Sequence, residues 1–158
     1  MTERVQSGTA VVLLLALSVM GCASVPAGSA ALSEQARSFA PPPGKANVYA
    51  VRMWSVLEGG IVWPVTLDFR EFGYVGQRSY LYGALSPGEH VIGANLPGPV
   101  PTRLRFTAEA GRNHFFKLTP VPGWLAGTIR IEPLDEETGR ILVLQYTLSG
   151  DNRFEFEP

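Results

Sequence analysis

From Asn47 onward, glycines and prolines cut the chain into short segments of alternating residues, and this punctuation constrains the fold more than any other feature. Asn47 to Trp54 places Val48, Ala50, Arg52 and Trp54 on one side and Tyr49, Val51 and Met53 on the other. Both sides are largely apolar, which predicts a strand at the centre of a packed sheet, with Arg52 near an edge or paired. Val65 to Phe69 and Arg70 to Gln77 follow, and the two glycines and alternating aromatics of the latter suggest a hairpin turning around Gly73. Ser79 to Leu81 is a further short strand. Pro87-Gly88 then suits a type II turn, proline fixing φ at the second position and glycine accepting φ > 0 at the third. Arg103 to Thr107 and His114 to Leu118 flank Ala108-Glu109-Ala110-Gly111-Arg112 like a second hairpin, and Thr128 to Glu132 restores the alternation that Pro120 to Trp124 breaks. Asp135 can cap a short helix through Glu136 and Glu137, while Gly139 also suits a turn before a strand; the helix is favoured. Strands spaced about 8 to 12 residues apart, with no αβ alternation, read as all-β: a small antiparallel β-sandwich with one short C-terminal helix.

Val11 to Cys22 is an uncharged apolar run ending on Gly21 and the single cysteine of the chain. Spanning a bilayer core takes a helix of roughly 20 residues, more than this run supplies. Residues 1–21 therefore read as a bacterial lipoprotein signal peptide, with Arg4 as a thin positive n-region and with Val19 and Met20 departing from the usual residues before the cysteine. Cys22 is then the lipidation site. A diacylglycerol on its thiol and a fatty acid such as palmitate on the new amino terminus would anchor the chain, at about 0.8 kcal/mol per buried methylene. Ala23, where an aspartate would retain the protein in the inner membrane, predicts an outer-membrane address facing the periplasm. With the thiol consumed, no disulfide forms and the fold stands on packing. Residues 22–43 are small and polar, run into Pro41-Pro42-Pro43, and read as a flexible tether, leaving residues 44–158 as one domain. A net charge of −1 offers no basic patch, so no nucleic-acid partner is expected.

The lipobox, a Pro-rich tether opening on Gly44-Lys45-Ala46-x-Val48-Tyr49, the Gly73-to-Gly76 hairpin, Tyr80 and Tyr82, Leu85-x-Pro87-Gly88-x-His90, and Glu137-x-Gly139-Arg140 form an ordered set of landmarks. In that order they resemble bacterial lipoproteins of the domain of unknown function number 2846, over about Pro41 to Leu148. The hairpin tip of those proteins reads Asp-Gly or Asn-Gly, and Phe72-Gly73 departs from it, implying a wider turn. A turn before a His-containing strand also occurs in PEGA-like modules. The resemblance implies a β-sandwich and supplies no activity.

His90 and His114 each adjoin a turn, and with Glu89 or Glu109 they are the zinc candidates. Their separation of 24 positions, without i, i+4 spacing or a free cysteine, favours strand histidines hydrogen-bonded near turns. There is no Gly-x-Ser-x-Gly elbow for a hydrolase. Glu132, Asp135, Glu136 and Glu137 lack the calcium-loop pattern and suit a helix N-terminus. The expectation is a protein without catalytic residues, metal or cofactor. Trp63 and Trp124 lie in the two least strand-like stretches, Glu58 to Pro64 and Pro120 to Gly127. Together at one end of a sandwich, with Tyr80 and Tyr82 nearby, they would offer a platform to a sugar ring, cell-wall component or envelope protein; otherwise they plug the core. The resulting expectation is a non-catalytic interaction or structural module of the envelope, attached to the membrane through lipid, with a glycan- or small-ligand-binding lipoprotein as the alternative.

Overall fold

In the computed structural model, which describes residues 26–55, 60–94, 102–122 and 127–152, strand β1 (Ala46–Arg52) is buried along its whole length. Its two apolar faces meet two different cores. β1 runs antiparallel to β4 (Ser79–Leu85), with Tyr49 opposite Tyr82, and parallel to β7 (Asn113–Val121), with Tyr49 beside Phe115. With β8 (Thr128–Leu134) and β9 (Thr147–Leu148) these form a five-stranded sheet in the order β8-β7-β1-β4-β9. β2 (Trp63–Leu67), β3 (Arg70–Val75), β5 (Gly88–Ala94) and β6 (Thr102–Ala108) form a second sheet in the order β3-β2-β5-β6. Val48 and Ala50 point between the sheets with Val65, Phe72, Leu81, Ile92 and Leu118. The fold is thus the all-β sandwich expected, although the pairs β1–β7 and β4–β9 are parallel.

The other face of the five-stranded sheet is covered by two helices, not one. α2 (Glu136–Gln145) has Asp135 as its N-cap, as expected, with the Asp135 carboxylate accepting from Thr138 N at 2.9 Å. α1 (Ala30–Ser38) lies in the segment expected to be a tether. From Pro26 on, that segment belongs to the folded body: Gly28 N donates to Leu148 O, Ala27 bridges Ser149, and Arg37 donates to the Tyr146 carbonyl at 3.1 Å. The cause is Tyr49. It stacks on Phe115 with ring centroids 4.5 Å apart, and its buried hydroxyl needs an acceptor, which Ala36 O provides at 2.8 Å. Ala36 and Phe39 thereby close over an aromatic core of Tyr49, Tyr80, Tyr82 and Phe115.

Three turns differ from expectation. The β2–β3 hairpin turns at Asp68-Phe69, which take φ of 49° and 65°, whereas Gly73 sits within β3 beside an irregularity in the pairing. A Cβ on Gly73 would collide with the Asp151 carbonyl and Leu81, so close approach, and not reversal, requires the glycine there. Pro87-Gly88 and Ala110-Gly111 do reverse the chain, with positive φ at Gly88 and Gly111, but each carries it from one sheet to the other and makes no hairpin. Gly88 has φ 143°, far from the value near 80° of a type II turn.

Candidate functional site

β1 runs parallel to β7 and antiparallel to β4, so the sandwich has two distinct ends. At one end Arg52 closes β1 as a fully buried residue. Its guanidinium carbon lies 3.7 Å from the centroid of the Trp63 ring, and its Nη1 donates to the carbonyl oxygens of Val75, at 3.2 Å, and Ile61. A planar cation stacked on an indole and donating to carbonyls just before β2 and at the end of β3 is a buried clamp between the sheets. It answers the expectation that Arg52 is paired. It also overturns Trp63 as a binding platform: the indole is 0% exposed, within β2, and plugs the core. Pro64 made this stretch read as a loop. The strand tolerates it because Pro64 pairs with Tyr74 while the ladder to β5 begins at Val65.

Tyr80 and Tyr82 are likewise buried, under the helices, and form no surface. Tyr82 Oη donates to Asn47 Oδ1 at 3.1 Å, and burial pushes its phenol up to about 12. Tyr49 is raised further, by burial first and then by its neighbours Tyr82 and Tyr80. Trp124 and Cys22 lie outside the described residues, as does the expected signal peptide.

What this end does expose is a set of residues that the sequence did not single out. Directly after Arg52 the chain surfaces at Met53 and Trp54, Trp54 being 60% exposed, and it re-enters through Ile61 and Val62, which are partly exposed. Gln77 fastens the edge of the patch, accepting from Ser55 N at 3.2 Å and donating to Ser55 O at 2.8 Å. Trp54 continues the alternation of β1, which concealed it. The signal that could have found it is a run of apolar residues extending past a buried arginine towards Gly59-Gly60, longer than the strand needs.

The opposite end carries both histidines, and each has a structural task. His90 Nδ1 lies 2.6 Å from Asp68 Oδ2 and Nε2 lies 2.8 Å from the Ser86 carbonyl oxygen. Both ring nitrogens are thereby engaged by oxygen atoms. Asp68 also accepts from Val91 N at 2.8 Å, so the pair holds the strained Asp68-Phe69 turn. Asp68, His90 and Ser86 superficially resemble a triad, yet the imidazole meets the serine carbonyl, while the Ser86 hydroxyl accepts from Lys45 Nζ at 3.3 Å. His114 Nε2 accepts from Glu109 N at 3.2 Å, a bond open to the neutral ring, and burial holds His114 below its ordinary value. Phe106 packs between the two imidazoles. The acidic residues disperse as well: Glu132 pairs with Lys117 at 3.1 Å, Glu136 with Arg140 at 2.6 Å, and Asp135 caps α2. Among the described residues, no group of three His, Cys, Asp or Glu is placed to hold a metal ion.

No family model matches the chain. It is similar to an uncharacterized protein of Haemophilus influenzae, at 26% identity over 127 residues that cover 80% of this chain and 74% of that protein.

Proposed function

We propose that the chain is a membrane-anchored periplasmic lipoprotein, held in the outer membrane by lipid on Cys22, that serves as a non-catalytic interaction module of the cell envelope. The observation that carries this reading is the exposed apolar end formed by Met53, Trp54, Ile61 and Val62 on a sandwich whose interior is closed. Exposed apolar side chains grouped where the chain leaves and re-enters the body mark a contact site, whereas the exposed Ile141 and Leu144 of α2 and Phe69 of the β2–β3 turn lie apart from them. The apolar run before Cys22 and the resemblance to lipoproteins of the domain of unknown function number 2846 support the anchor and the compartment. The exposed indole of Trp54 favours a second reading, in which it stacks on a glycan of the envelope in the role first given to Trp63 and Trp124.

A photo-crosslinking residue in place of Trp54, activated in cells, tests the module reading. Adducts at position 54 well above those at Glu109, on the other end, are the expected result; equal yields at the two positions refute it. Intact-mass measurement of the membrane fraction tests the anchor. The wild type should begin at Cys22 and carry the added acyl mass, and Cys22→Ser should remain an uncleaved or mislocalised precursor.

A further inference from the structure

We infer that the apolar end of the sandwich rests in the lipid surface that carries the anchor, so that Trp54 is a second membrane contact beside Cys22. The inference rests on the lipoprotein reading above and names the occupant of its contact surface. Its first support is the length of the leash. Read from sequence, some twenty residues would separate the lipid from the domain. The body in fact begins at Pro26, whose carbonyl accepts from Gly150 N, with Ala27 bridging Ser149. Four residues from Cys22 to Pro26 span at most about 14 Å when fully extended. A folded body on so short a leash is held within about 14 Å of the bilayer, close enough for part of its surface to rest on it.

The second support decides which part. β9 pairs with β4 so that Thr147 lies beside Ser79 and Leu148 beside Tyr80, which brings Gly150 level with the middle of β4. Either end of the body is then about three strand residues away, roughly 10 Å, and within the reach of the leash. The two ends differ in chemistry. The histidine end presents Asp68, Lys45, Glu109 and Arg112, and among the described residues its exposed Phe69 stands alone there with the Arg103 guanidinium 5.2 Å from its ring. A bilayer would have to desolvate those charges. The other end presents Met53, Trp54, Ile61 and Val62. The same end carries the exposed Arg78, which follows Gln77, and Arg130, opposite Thr119 on β8, while the carboxylate of Glu132, two residues further along β8, is paired with Lys117. Tryptophan and aliphatic side chains on an end that also carries two arginines suit the boundary between head groups and acyl chains, where the indole is half apolar and half wet and arginine reaches phosphate. Residues 56–59 lie outside the described residues.

The test uses the full lipidated protein reconstituted in phosphatidylethanolamine–phosphatidylglycerol vesicles, with or without brominated acyl chains, after intact mass has established acylation of Cys22. Bromolipid should quench the tryptophan emission, aqueous iodide should quench little, and Trp54→Phe should remove most of the bromolipid-sensitive fraction while Trp124→Phe retains it. Acylated protein whose Trp54 stays open to iodide and blind to bromolipid overturns the inference and leaves the anchor standing. Loss of the effect in Trp124→Phe alone, or an indole shielded from both quenchers because copies pair, also overturns it. An unmodified Cys22 removes the lipoprotein reading, and this inference with it.

Discussion

Gly139 sits inside α2, where alanine ordinarily stabilises a helix by about 1 kcal/mol relative to glycine. Here a Cβ would overlap the Phe115 ring, which is itself held by its stack on Tyr49 and cannot withdraw. Gly139→Ala should therefore destabilise the protein by about 1–3 kcal/mol, the cost of an overpacked core, and thermal or urea unfolding shows it directly. An unchanged or raised midpoint would mean that α2 moves freely on the sheet. At this scale the sequence is legible where a residue's neighbours are local. Asp135 declares itself as a cap because its partner is three positions away. Trp63 and Trp54 are exchanged for the opposite reason. What buries Trp63 is the core between the sheets with the Arg52 guanidinium stacked on its ring, and what exposes Trp54 is the end of a strand fixed by distant neighbours; neither fact is written near the tryptophans.

Among the elements, β1 was readable because burial on both faces leaves an apolar signature on both. The turn at Asp68-Phe69 was not, because it reverses the chain without glycine or asparagine. Its positive φ values are held by the Asp68 contacts to His90 and Val91, which lie 22 and 23 positions away. Pro87-Gly88 and Ala110-Gly111 announced reversal correctly, but a turn signal does not say whether the next strand joins the same sheet or crosses to the other. α1 is the largest omission, since small and polar residues buried only at Ala36 and Phe39 have the composition of a linker. Its docking predicts slow cleavage. Trypsin acting on the purified full chain should cut after Arg37 far more slowly than in the denatured protein. Tyr49→Phe, which removes the donor to Ala36 O at a net loss of about 1 kcal/mol, should accelerate that cut. Cleavage of the wild type at the denatured rate would show that the segment is a tether after all.

For the whole molecule, the aromatic core under the helices sets an alkaline limit. An unfolded tyrosine ionises near 10, whereas Tyr82 is pushed up to about 12 and Tyr49 is raised as well, both chiefly by burial. Above pH 10 the unfolded chain therefore sheds protons that the folded one retains. The contribution of these groups is complete below pH 10 and falls as pH rises towards 12, by about 3 kcal/mol for a separation of that size at Tyr82. The tyrosinate absorbance of the cluster should appear together with the loss of near-ultraviolet circular dichroism, in one transition, and Tyr82→Phe should weaken the dependence. Ionisation near pH 10 with the fold intact would show a cluster open to water.

The pairing of residues 26–28 with residues 148–150 also fixes an order of events during biogenesis. The first described stretch of the chain has its partners at nearly the last, so it cannot dock until residues 148–150 have been made. Until Leu148 arrives, α1 lacks the strand that fastens its entry, and the aromatic face of the five-stranded sheet stays uncovered. A product truncated before Thr147 would present an open, apolar sheet face to the proteases and chaperones it meets, whereas the finished chain closes that face with its own amino-terminal segment.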